Sequence, residues 1–415
     1  MSKKIFLVLM VLVFLRPHFN FLSSFLATYL ADIMMLLLGG SYIIISRKKL
    51  STEDSKLIIL FIFLGVFLLL PLMVHSLETI TDYKIWSNYG KLIYYCLMFW
   101  CFYQVLLKIP NEIKLFEKTM NYFFWIIFAV AMVQLTDFPI LNKIVFEVYN
   151  TEKLRTIWTE YARIYSTFYN ANWFGVYLVF YFGWLNSRFL YGMENTKKYI
   201  VYLIPLITMF IISGSRTAMI GLIVLLFIQI LMAKDSRKVL KILVSGIIVF
   251  YLAQYIIDRF EYINKTIMRF TSTIETLLYD NFNLAKATPG RVESWAETWD
   301  LIKTNPAFGS GQIDFIPHNS YLYFLNMFGF FGGFVILSAV VIYFLVKKKK
   351  TYDNLILKQV NNWQMGFIFS FLVMSFSAEF FFTTQVILLV VIMFSIKYTL
   401  IRKEELVQKE AAAFE

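Results

Sequence analysis

Two cysteines and three histidines in 415 residues leave little material for disulfides, thiol chemistry or a metal centre. Cys96 and Cys101 are five residues apart in one apolar run, about 140° around a helix, so they do not face each other. His18, His75 and His318 fall in three separate segments with no cysteine beside them, unlike a zinc-binding spacing. No glycine-rich loop ends in a phosphate-cradling lysine, which argues against an ATP-driven machine. Charge is also scarce, at 16% of residues.

Apolar residues fill the space these absences leave. With 59% hydrophobic residues and 44 Phe, the chain has far more apolar surface than one water-facing fold can hide. Runs of about 17 to 25 mostly apolar residues, each able to cross roughly 30 Å of hydrocarbon, recur between charged clusters. Twelve spans are expected, with apolar cores at roughly 5–15, 30–45, 57–74, 92–107, 122–135, 173–190, 199–212, 218–232, 239–257, 321–346, 363–377 and 381–400. The first is short and follows Lys3-Lys4 like a signal peptide. No small-residue cleavage site comes after it, and residues 19–26 can lengthen it, so it reads as a retained helix.

The expectation is thus an all-α polytopic membrane protein, residues 1–415 forming one membrane domain. With a cytoplasmic N-terminus, Arg47 to Lys49, Lys108, Lys114, Lys118, Arg188, Lys197-Lys198, Lys234, Arg237-Lys238, Lys347 to Lys350 and Arg402-Lys403 all lie inside. The net charge of +12 then reads as a topology signal, and nucleic acid is not expected as a partner. Two longer segments face outward, a first cap at 136–172 and a large loop at 258–320 with short amphipathic helices; 401–415 is a cytoplasmic tail.

Few ionisable residues lie near the spans. Asp32, Glu78 and Glu379 sit at expected outer ends, where no midplane acid or repeat symmetry suggests a coupled transporter. Glu379 either points into an outward cavity or caps a turn. The hexapeptide 213–218, Ser-Gly-Ser-Arg-Thr-Ala, sets Arg216 in a tight polar turn between two apolar runs. Such an arginine either snorkels to lipid or grips a diphosphate with its planar fork.

In the large loop, Thr288 can cap a helix with Pro289 in its first turn. Arg291, Trp295, Trp299 and Ile302 then share one face, and the helix stops before Asn305-Pro306. That face suits either a lid lying on the bilayer or a sugar-stacking wall with an anion-binding end. Beyond Gly309-Ser310-Gly311, His318 stands at the mouth of the next span, with an ordinary pKa suited to proton transfer.

Gly290-Arg291, Trp295, Asn305-Pro306, Gly309-x-Gly311, His318-Asn319-x-Tyr321-Leu322 and Gly329-x-x-Gly332 together resemble the signature of the O-antigen polymerase and O-antigen ligase superfamily. The turn at 213–218, and Arg163 with Phe168 to Asn172 and Gly175, are similar to two further segments of it. Met327 departs from the pattern, because a polar or acidic residue is frequent there.

The resemblance implies a membrane-embedded glycosyltransferase that needs no metal or cofactor. Its donor would be a polyprenyl-pyrophosphate-linked glycan, used at the outer face of a bacterial cytoplasmic membrane. Arg216 and Arg291 would clamp the pyrophosphate, and His318 would either take the acceptor proton or orient the acceptor, with Glu293, Glu297 and Asp314 as rival bases. Arg163, Asn319, Trp295, Trp299 and Tyr321 would bind substrate. Implied partners are membrane lipid and other polysaccharide-assembly proteins, such as a chain-length regulator. Polymerisation of repeat units, with inversion at the sugar C1, is the leading expectation; ligation of finished glycan and lipid-linked-sugar transport are the alternatives.

Overall fold

The computed structural model describes residues 1–16, 24–46, 52–74, 83–136, 139–149, 163–233, 242, 244, 290–310, 317–346 and 354–414. Among these the chain is all helical: α1 (Ser2–Phe14), α2 (Ser24–Ser46), α3 (Thr52–Val74), α4 (Tyr83–Leu107), α5 (Glu112–Thr136), α6 (Pro139–Tyr149), α7 (Ala171–Leu190), α8 (Thr196–Ser213), α9 (Arg216–Met232), α10 (Arg291–Thr304), α11 (Ser320–Val346), α12 (Leu355–Met374) and α13 (Thr384–Phe414). Among the described residues four stretches are long and apolar enough to cross a membrane: Trp86–Leu107, Glu112–Thr136, Thr196–Ser213 and Thr384–Gln408. The protein is thus a polytopic membrane protein. The expected run at 239–257 lies almost wholly outside the described residues.

Several expected boundaries change. α1 stops at Phe14, and Ser24 to Leu26 belong to α2, whereas residues 19–23 lie outside the described residues. α4 and α5 begin nine and ten residues earlier than hydropathy suggests, because polar residues end an apolar run without ending the helix. On α5, Glu117 joins Arg188 and Lys198 at 3.1 Å, so the charged first turns have partners.

Short polar side chains set where helices start. Asn170 accepts from the amides of Asn172 and Trp173, Asn195 from Lys198, and Ser215 from Ala218. These bonds satisfy amides that a helix leaves unpaired in its first turn.

α7 is the heart of the bundle. Seventeen of its 20 residues are buried, as befits a helix that is apolar on every side. It packs against α8, α9, α12 and α13. The α7–α9 crossing depends on Gly175, since a Cβ there would lie 2.5 Å from Ala218 Cβ. Hydrogen bonds from Asn186 to Gln229 (2.8 Å) and from Gln359 to Ser187 (2.6 Å) join these helices internally. Cys101 packs against Gly39, and both cysteines are free.

Candidate active site

The site forms at the end of the bundle where α8 stops and α9 starts. Gly214 closes α8 in the left-handed conformation (φ 55°), and Ser215 caps α9. Arg216 and Thr217 are consequently the first residues of α9, where unpaired amides favour an anion. The segment before α7 is fastened to the same turn. Ile164 N donates to Ile212 O at 3.1 Å, and Arg163 donates to Ser213 O (3.3 Å) and Asn172 Oδ1 (3.0 Å). Ser215 Oγ donates to that same Asn172 oxygen at 3.0 Å.

Arg291 completes the cleft from α10. Arg163, Asn172, Gly214, Arg216, Thr217 and Arg291 line a space of about 450 Å³, counting the part open to solvent. Three guanidinium groups from positions far apart in sequence therefore converge. Burial lowers the pKa of Arg291, and the nearby Glu379 carboxylate raises it. An arginine stays cationic at neutral pH despite such a shift.

His318 lies in the segment leading into α11. Its backbone occupies the left-handed region (φ 49°), an uncommon state for a side-chain-bearing residue. Bonds to the α12–α13 turn hold it there. Ser320 N donates to Ser375 O (2.9 Å), Ser320 Oγ to Ala378 O (2.6 Å), and Phe380 N to Ser320 Oγ (2.7 Å). This clasp sets His318 Nδ1 2.8 Å from Glu379 Oε1. The Glu379 contact raises the His318 pKa, against the lowering effects of burial and of Arg291. Thr217 in the cleft joins the same turn through a 2.6 Å hydroxyl pair with Ser377.

The remaining expected residues have distinct places. Asn319 caps α11, accepting from Tyr321 N and Leu322 N at 3.0 and 3.1 Å. The Tyr321 hydroxyl donates to Leu372 O at 2.8 Å. α10 begins at Arg291 behind a left-handed Gly290 (φ 76°), which holds the cap position two residues after the expected Thr288; Thr288 itself lies outside the described residues. It ends at Thr304, before Asn305-Pro306 as the sequence predicts. Trp295 shares the Arg291 face and its Nε1 is buried with no partner among the described residues. Thr298 and Ile302 are the buried residues of α10, whereas Trp299 is 41% exposed and edge-on to Phe330. Glu293 and Glu297 are exposed, roughly 200° and 240° around the helix from Arg291. Asp314 lies outside the described residues.

Glu379 is the site residue that sequence left unassigned. Its partner His318 is 61 positions away, and only the Ser320 clasp reveals the pairing. Among the described residues no three His, Cys, Asp or Glu side chains gather as a metal-ligand group. The arrangement offers fixed positive charge for a phosphate and a histidine–carboxylate pair for a proton. Residues 201–337 match the family model described as O-antigen ligase. No curated protein matches the chain. The matched segment contains Arg216, Arg291 and His318 and supports a likeness to the O-antigen polymerase and ligase superfamily.

Proposed function

We propose that this protein polymerises polyprenyl-diphosphate-linked oligosaccharide units at the outer face of the bacterial cytoplasmic membrane. The observation that carries this reading is the convergence of Arg163, Arg216 and Arg291 on one cleft, with His318 and Glu379 within electrostatic reach of Arg291. The donor diphosphate occupies the arginine cleft. An acceptor hydroxyl attacks the sugar C1, and the C1–O bond to the diphosphate breaks with its electron pair on the leaving group. The arginines stabilise that developing charge, the role a divalent cation fills elsewhere. The hydroxyl proton passes to His318 Nε2, because Nδ1 faces Glu379. Attack opposite the leaving group inverts C1.

A ligase would use the same donor chemistry, and the matched family model is described by that activity. Glycan size separates the two. In cells whose only copy carries Arg216→Ala or Arg291→Ala, surface glycan collapses to a single repeat unit while protein level holds. Transfer by the purified variants falls by about 10² to 10³, and chelators leave the wild-type rate unchanged. Normal long chains in either variant sink the clamp role; full-length chains stranded on the polyprenyl carrier indicate ligation.

A further inference from the structure

A second cationic cluster shares no residue with the arginine cleft. Arg16 follows the end of α1 and pairs closely with the Asp32 carboxylate of α2. Tyr94 of α4 donates to the other oxygen of Asp32 at 3.0 Å. Arg16 Nη1 is buried and has no hydrogen-bond partner among the described residues. Lys91 of α4 rests its ammonium on Asn88 Oδ1 at 3.2 Å and lies within electrostatic reach of both Arg16 and Asp32. Two cations thus face one carboxylate. The surplus charge sits inside the candidate span Trp86–Leu107, where an unneutralised ammonium is costly and marks a ligand path more often than a packing device.

Access and connection both fit a membrane-anchored anion. Gly90, next to Lys91, is exposed with open space where a Cβ would stand. Ile33, Leu37 and Ile93, on the same two helices, expose apolar surface along which a hydrocarbon tail can lie. Asn88 also donates to the Tyr323 hydroxyl at 3.0 Å, and Tyr323 is about a turn and a half along α11 from His318. His318 therefore has Arg291 of the donor cleft in electrostatic reach and is joined through α11 to the second cluster.

We propose that Arg16 and Lys91 bind the diphosphate of a second lipid-linked glycan, the acceptor, so that two substrates of the same anchor chemistry meet at His318. The proposal rests on the arginine cleft being the donor site. It gives a structural reason for polymerisation, since a ligase acceptor need not carry the donor's anchor.

Native mass spectrometry with a polyprenyl diphosphate lacking glycan tests it. The full-length wild type in lipid nanodiscs binds two probe molecules. Lys91→Gln binds one, Lys91→Arg restores two, and Arg291→Ala retains the second site alone. Arg16→Lys preserves the Asp32 pair and weakens one site by about tenfold or more, the loss expected for a charge-assisted contact. Two probes on Lys91→Gln, or full affinity in Arg16→Lys, overturn the proposal and leave the cluster as an internal ion pair. A single wild-type site abolished by Arg291→Ala overturns it while the donor reading stands; no binding at all removes both. A tenfold excess of phosphatidylglycerol leaves the count at two, and displacement of one probe by it assigns the cluster to ordinary phospholipid, which also overturns the proposal.

Discussion

At the scale of single residues, the His318–Glu379 pair makes a signed prediction. A base must be neutral to accept a proton. Glu379 favours the protonated ring, and its effect outweighs burial and Arg291, so the His318 pKa is above its ordinary value. Transfer activity should therefore rise with pH through an apparent pKa above about 6.5. Glu379→Gln removes the carboxylate and leaves the lowering effects of burial and Arg291, so the acid limb moves to lower pH as the rate falls. His318→Ala removes the limb. A pH–rate profile of kcat/KM checks all three proteins, and an unmoved limb in Glu379→Gln rejects His318 as the titrating base. A purely structural clasp would lower protein yield without displacing the limb.

At the scale of elements, the Asn-Pro and glycine motifs have a shared geometric cause. α11 breaks at Gly329 (φ 61°, ψ −170°), and the loop after α10 crosses it there. Phe330 N and Phe331 N, freed by the break, donate to Pro306 O and Ala307 O at 2.9 and 3.0 Å. Gly309 turns the loop at φ 82° against the Asn326 carbonyl, while a Cβ on Gly329 would lie 2.3 Å from Ala307 O. Gly329→Ala combines left-handed strain with a backbone clash, for a loss of about 2–5 kcal/mol. Gly333→Ala is the control, since its nearest neighbour is the Leu325 side chain at 3.8 Å. Thermal unfolding in detergent should separate the two, and equal midpoints reject the crossing as a stabilising joint. The break also fixes how α10 meets α11, and so where Arg291 stands.

The same elements show what was legible beforehand. Periodicity marked Arg291 and Trp295 on one face of α10, and Asn305-Pro306 marked its end. Arg216 was conspicuous as a lone cation in a tight turn. Those signals are local. The convergence of Arg163 with Arg216 rests on the backbone bond from Ile164 to Ile212, and the pairing of His318 with Glu379 on Ser320, neither of which has a sequence period. Lys91 was hidden for another reason: a hydropathy window starts the span at 92, whereas the helix starts at Tyr83 and carries Lys91 inside. Thr298, not Trp299, is buried beside Ile302, because a residue seven positions from Arg291 returns to nearly the same angle, while one eight positions away lies about 80° off.

At the scale of the whole molecule, the helix directions sort charge between two ends. Lys403 contacts Glu112, and Arg188 and Lys198 contact Glu117, gathering the turns at 108–112 and 188–198 with the latter part of α13. The N-terminus is there too, since Ser2 bonds to Tyr42 and Lys108 stands over the Tyr42 ring. α8 runs from that end to Ser213, about 27 Å at 1.5 Å per residue, and so reaches Arg163 and Arg216 at the other. Short basic loops favour the cytoplasm, so the end holding the arginine cleft should face outward. The accessible test sites are Glu297 on α10 and Lys197 at the start of α8, both exposed. In spheroplasts expressing a variant without Cys96 and Cys101, a membrane-impermeant maleimide should label Glu297→Cys directly and Lys197→Cys only after permeabilisation. The reverse pattern would put the cleft in the cytoplasm. The polyprenyl-linked donor would then have to be used on the side where nucleotide-activated sugars are available, and outer-face polymerisation would lose its basis even with every site contact intact.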